Sequence, residues 1–472
     1  MLEFHVGNLY TRVDKKKAAR NELTELHKIL SVKVPGHYFS PHFRRGLWDG
    51  YKRFFNLLTY TLYTGLLTYS TSRLTCPYTI VDDRTEIPHQ NNPLSLKGVE
   101  LRDYQIKIVN ESVEKKRGII SAPPNSGKTE CAAGIIKVLG LPANFLTHRL
   151  TLLNQTKKRF ETRLGIEVGI IGGGEEEIKD VNVISVQSLS RKLTDPHIKE
   201  LLGNTPVVIV DECHHASSKT FEKCLKACEG AYYRFGLSAT ALMRDEISNF
   251  MVMGLTGDEI AGVTSEELIK TGISATPSVY LMKVTEPKIK DVYTFDKVYE
   301  EGIVYNQYRN SLVVSSAKKF LDQGKSVFIL VWRIVHGALL QQMLEDVGVE
   351  VEFISGEENS DTIDNVMERF GKELKCVISS TISDEGLDVP SIDVLIIATG
   401  FKSPLKTVQR VGRGSRKKKV GPNVVIIVDF VDFQSKKYLY KHSMDRCREY
   451  LNMGGTKIFE VMDNEWKNVE ER

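Results

Sequence analysis

A chain of 472 residues, 41% hydrophobic and 26% charged, with a formal net charge of +4, is too long for one core. It reads as a globular protein of several domains, and the small positive excess gives only weak support for a polyanionic partner. No run of about 18 apolar residues occurs, and Met1 to Val6 lacks the order of a secretory signal, so no membrane span is expected and a cytoplasmic protein is.

Residues 1–95 are rich in Tyr, Phe, Arg and Lys and form the first expected domain, a small α+β one. Leu23, Leu26, Ile29 and Leu30 have helical spacing. From Tyr38 to Arg53 aromatic and basic residues alternate, and Asp49-Gly50 predicts a hairpin turn. Arg44, Arg45, Lys52 and Arg53 can neutralise phosphates. Tyr38, Phe39, Phe43, Trp48 and Tyr51 can stack on bases, or they can fill the core that a small domain needs. The core role is expected for most of them. Residues 86–97, with Pro88, Asn91, Asn92 and Pro93, read as a linker.

From about residue 98, short apolar strands alternate with helical stretches. Gly118 to Ser121, Asn144 to Thr147, Val181 to Ile184 and Val207 to Val210 are strand-like. The pattern returns at Ser326 to Val331, Lys375 to Ile378, Val394 to Ile397 and Val424 to Val428. Such alternation predicts two tandem α/β domains with parallel sheets, over 96–290 and 291–472, the second ending in a helical extension. Seven cysteines are scattered without a CxxC pair, so a zinc or disulfide framework is not expected.

Ala122-x₄-Gly127-Lys128-Thr129 follows a strand and opens a helical stretch, the context of a phosphate loop. Pro124-Asn125-Ser126-Gly127 would form the loop, and backbone N–H groups at the helix start that follows would face phosphates; Lys128 would reach the outer oxygens and Thr129 a Mg²⁺ ion. The bland alternative is a turn that happens to spell Gly-Lys-Thr. Asp211-Glu212 ends a strand, where open sheets place ligands. Asp211 would hold Mg²⁺ and Glu212 would act as general base on water. Otherwise the two are a surface acidic pair. His214 and His215 suit a coupling contact better than a metal site. Ser238-Ala239-Thr240 can hydrogen-bond the Asp211 region. In the second half, Ser383 to Pro390 forms an acidic loop, and Gln409 to Arg416 is a glycine-spaced arginine run. Arg413 and Arg416 would share one helix face and meet the terminal phosphate, unless the run is a solvated basic helix, as Lys417 to Lys419 suggest for their own part.

In this order the motifs resemble those of superfamily-two helicases and translocases, over roughly residues 98–430. The resemblance implies RecA-like domains, and that Arg102 and Gln105 contact the adenine of ATP. It implies that Gly386, Asp388 and Gln409 join Lys128, Thr129 and Asp211 around nucleotide and Mg²⁺. It also implies that His148 and Arg149, with Gln187 and Ser188, touch a nucleic-acid strand. The stretch Gly36 to Gly50 further resembles phage UvsW-type helicases, which implies branched DNA as substrate and contacts from Arg44, Arg45, Trp48, Lys52 and Arg53. A monomer acting with recombination or replication proteins is expected. An RNA helicase and an annealing protein with a vestigial motor are the competing readings; the intact Lys128, Asp211, Glu212, Arg413 and Arg416 speak against the second.

Overall fold

The computed structural model describes residues 1–472 except 124–125, 149, 240–241, 243–244, 291–293, 356–357, 359, 381–391, 402–423, 453–454, 463–464 and 467–472. The chain falls into two compact units that divide between Val263 and Thr264.

The first unit opens with a five-stranded sheet. Its strands are β1 (Leu2–Val6), β2 (Tyr10–Val13), β5 (Phe55–Asn56), β6 (Thr61–Tyr63) and β7 (Tyr78–Asp82), in the order β5-β6-β2-β1-β7. A separate ribbon pairs β3 (Ser31–Lys33) with β4 (Tyr51–Arg53), with Val32 opposite Lys52. Asp49-Gly50 is therefore not a hairpin turn: the connection is the whole stretch 34–50. β1 alternates buried Leu2, Phe4 and Val6 with outward Glu3 and His5, as a sheet covered on one face requires. Helix Arg20–Ile29 covers that face through Leu26.

An eight-stranded sheet follows, made of β8 (Arg117–Ser121), β9 (Ala143–Thr147), β10 (Gly169–Gly172), β11 (Glu175–Glu177), β12 (Val181–Ser185), β13 (Val207–Asp211), β14 (Tyr233–Ser238) and β15 (Glu259–Gly262). The order is β11-β10-β12-β9-β13-β14-β8-β15, parallel except for β11. Val207 to Val210 are all buried, which is why β13 reads as an unbroken apolar run rather than an alternating one.

The small five-stranded domain is docked on this α/β domain. Phe54 and Tyr69 pack on Phe250 of helix Glu246–Thr256, at 5.2 and 4.8 Å between ring centroids. A Cβ on Gly65 would lie 2.0 Å from the Met253 carbonyl oxygen, so the backbones meet there directly. The expected linker is strapped down as well: Gln90 N donates to Leu139 O and Asn92 N to Val138 O.

The second unit holds an eight-stranded sheet: β16 (Thr276–Val284), β17 (Val327–Leu330), β18 (Glu352–Ile354), β19 (Cys376–Ser379), β20 (Val394–Ile397), β21 (Val424–Asp432), β22 (Lys457–Met462) and β23 (Glu465–Trp466). Its order is β18-β19-β17-β20-β21-β16-β22-β23. Two results differ from expectation. β16 lies between β21 and β22, so residues 264–290 go with the second unit and not the first. And the C-terminal extension is a helix, Lys441–Asn452, followed by two strands that widen the sheet. The architecture is α/β, two RecA-like domains with a small α+β domain in front.

Candidate functional site

In the first unit β8, β14 and β13 are neighbours, so their C-terminal ends bring three motifs together. Ala122 N, at the start of the phosphate loop, donates to Ser238 O at 2.9 Å. Gly127 has φ +76 and sits at the N-terminus of helix Lys128–Leu139. A Cβ there would lie 2.4 Å from Gln105 Nε2. Gln105 is buried, and its Oε1 accepts from Arg102 N at 3.0 Å, which fixes the amide against the loop. Lys128 Nζ donates to Ala122 O at 3.0 Å, which holds the ammonium across the mouth of the loop. A glycine cradle that a methyl would fill, an ammonium at a helix N-terminus and Thr129 beside it fit a nucleoside triphosphate.

A Gly127→Ala variant tests the cradle. The left-handed backbone costs an alanine about 1–2 kcal/mol, and Gln105 must also move. Nucleotide affinity, read by titration with a fluorescent ATP analogue, should fall about tenfold or more. Unchanged affinity would show that the loop does not use this conformation.

Asp211 closes β13, and Glu212 follows in the left-handed region at φ +48, ψ +50. A non-glycine residue there is uncommon. Glu212 N donates to Asp211 Oδ1 at 3.0 Å. Glu212 Oε2 lies 3.3 Å from His214 Nδ1, and the same nitrogen is 3.0 Å from Ser238 Oγ, with His214 and Ser238 both buried. The hydroxyl expected to meet the Asp211 region thus does so through His214. Between the carboxylates and the histidines, burial and then the charges of Glu212 and Asp211 push the Cys213 thiol up, so it stays protonated and is no nucleophile.

The chain of contacts continues. The His214 and His215 rings are 4.2 Å apart, and His215 and His148 4.5 Å. His148 follows β9, which is the next strand to β13. Gln187 and Ser188 open the helix after β12, one strand further along, with Ser185 Oγ capping Ser188 N at 3.4 Å. The strand-contacting candidates and the phosphate-handling ones therefore share one sheet edge, joined by a run of histidine rings that the spacing in the sequence only hints at.

The basic loop lies in the first unit's small domain. Arg44, Arg45 and Lys52 are exposed. Arg53 is engaged by Asp49, whose carboxyl its hydrogen bond holds down to about 2, so this cation is already neutralised within the loop. Trp48 is half-buried, and its Nε1 donates to Tyr51 O at 2.8 Å. The expectation that most aromatics here are core fails: Tyr38, Phe39 and Tyr51 are exposed, and the core comes from Phe4, Leu26, Leu30, Phe54, Phe55 and others. Pro124, Asn125, Arg149, Gly386, Asp388, Gln409, Arg413 and Arg416 lie outside the described residues.

With this geometry in place, the chain can be set beside known proteins. Residues 98–242 match the family described as type III restriction enzyme, res subunit, and residues 311–418 the helicase conserved C-terminal domain. The ATP-dependent DNA helicase uvsW of Enterobacteria phage T4 is 23% identical, over 94% of this chain and 95% of its own. The DNA 3'-5' translocase XPB2 of Sulfurisphaera tokodaii is 27% identical, over 69% of this chain and 81% of its own. A fragment of a putative HsdR subunit of a type I restriction enzyme from Vibrio vulnificus YJ016 shares the fold, with TM-score 0.58 at 18% identity over 79% of this chain and 71% of that one.

Proposed function

As a superfamily-two ATP-dependent helicase resembling the phage UvsW-type enzymes, this chain, we propose, remodels branched DNA: forks, Holliday junctions and displacement loops. The setting we propose is phage recombination, repair and replication, with the chain a monomer in the cytoplasm. The observation that carries the reading is the shared sheet edge. Carboxylates for water activation and residues placed for a strand are joined there by His214, His215 and His148, so turnover at one end and grip at the other act through touching side chains.

Each residue has a place in this reading. Lys128 binds the outer phosphates, Arg102 and Gln105 the base, and Thr129 and Asp211 Mg²⁺. Bound Mg²⁺ supplies charge neutralisation at the phosphates. Glu212 takes the proton of the attacking water. Arg413 and Arg416 stabilise the terminal phosphate, with Gly386, Asp388 and Gln409 around the nucleotide. His148, Arg149, Gln187 and Ser188 hold the tracked strand, and Arg44, Arg45, Trp48 and Lys52 a second segment of it. The phage and archaeal relatives, a DNA helicase and a DNA translocase, favour DNA over RNA.

The test is ATPase rate and strand displacement across single-stranded, duplex, forked and four-way DNA, with matched RNA. Forked and four-way DNA should stimulate most. Equal or greater stimulation by RNA would move the reading to an RNA helicase. No stimulation by any DNA would reject it. A Lys128→Ala chain that remodels junctions as well as the parent would instead favour an annealing protein with a vestigial motor.

A further inference from the structure

Two aromatic rings stand in solvent beside the loop cations. Tyr38 is 56% exposed and Phe39 67% exposed, with ring centroids 4.4 Å apart and planes tilted by 47°. A small domain needs its aromatic area for the core, so two adjacent rings outside it call for a function.

The turn that carries them is braced from below. Gly36, at φ +68, starts it, and Ser40 N donates back to His37 O at 3.0 Å. The His37 ring is wedged under the loop. Its Nδ1 is 3.0 Å from Val34 O, and Phe43 meets it edge-on at 4.6 Å. Gly50, at φ +85, comes so near that a Cβ would lie 2.8 Å from His37 Cδ2. Arg44 Nε donates to Tyr38 O at 3.0 Å. The rings are thus held out by a fixed backbone. Phe43, by contrast, is half-buried and serves the brace.

We propose that Tyr38 and Phe39 form a stacking pin that caps the last base pair at a DNA branch. This rests on the DNA reading above. Aromatic faces stack on any base, so the contact needs no sequence. Inside a duplex both faces of every base pair are covered by neighbours; an open face exists only at an end or a branch. Exposed Arg44, which bonds the Tyr38 carbonyl, and Arg45 next to it in the chain attract the phosphates that flank such a face. The pin therefore reads branch geometry, a different task from gripping a strand.

The test uses the full chain and a fork with 2-aminopurine at the branch. The parent should quench that fluorescence. Tyr38→Ala/Phe39→Ala should lose the quench and slow fork unwinding about 10- to 100-fold, the loss of one or two stacking contacts. Its ATPase rate on single-stranded DNA should keep the parental value, and Tyr38→Phe should behave as the parent. Undiminished quench and unwinding in the double variant would overturn the pin and leave the rings to a protein partner. Unwinding and single-strand ATPase falling together would overturn it too, since the rings would then serve general binding. A parent whose ATPase ignores all DNA would reject the underlying reading, and that result is read separately from the quench.

Discussion

Replacing Glu212 by glutamine should stop turnover and leave nucleotide affinity almost untouched. Glutamine keeps the size and can still hydrogen-bond, so the left-handed turn at 212 and its neighbour His214 need not rearrange. What it loses is basicity. General-base assistance is worth about 10²–10⁴ in rate, and the neighbouring Asp211 has its Oδ1 engaged by the Glu212 backbone N–H. Single-turnover hydrolysis should fall within that range, while the dissociation constant for an ATP analogue stays within about threefold, under 1 kcal/mol. If hydrolysis and affinity fell together, Glu212 would be a structural residue of the strained turn. The same variant separates two roles for His214. A histidine that only orients the Glu212 carboxylate becomes silent once that carboxylate is gone, so a further His214→Ala change should add little to the loss. A histidine that also carries the state of the site to His215 and His148 should still lower coupling to DNA in the Glu212→Gln background.

Much of this site was legible because its signals are local. Buried parallel strands declare themselves as apolar runs, and Asp211-Glu212 and Gly127-Lys128-Thr129 stand at their ends. What was not legible is non-local. β16 is an apolar strand that follows the first unit's elements directly, yet its partners are β21 and β22, both beyond residue 420. No window around Thr276–Val284 carries that fact, so a boundary read from local pattern falls too late. The aromatic stretch fails for a related reason. Whether Tyr38 is core depends on whether other residues fill the core, and Phe4, Leu26, Phe54 and Phe55 do so from positions on either side of it. The conformation of Glu212 has no sequence signal at all: nothing in an acidic pair after a strand announces a positive φ.

A second large effect is expected in the interior of the second unit. In the second unit Arg446 is fully buried and forks onto Asp429, Nε to Oδ2 at 2.8 Å and Nη2 to Oδ1 at 3.0 Å. Its remaining hydrogen bonds go to the carbonyls of Phe401 and Phe430, and Tyr450 Oη donates to Asp429 Oδ2. Burial alone would lower the guanidinium pKa, but the adjacent Asp429 outweighs it and moves the group up, so the guanidinium stays charged. Arg446→Ala leaves that carboxylate buried without its counter-charge, which costs about 3–5 kcal/mol. Against a net stability of about 5–15 kcal/mol, this should lower the unfolding transition of the second unit by roughly 6–20 °C. Arg446→Met with Asp429→Leu removes both charges and should recover part of the loss. Recovery is incomplete because the Phe401 and Phe430 carbonyls still lose their donor. A single variant that melts within about 1 kcal/mol of the parent would contradict the pairing. A double variant no better than the single would show that the carbonyl contacts, not the charge, carry the stability. In that case the role of Arg446 is to pin Phe401, as Arg309 pins Ala398 and Tyr299 pins Thr399 just past the end of β20.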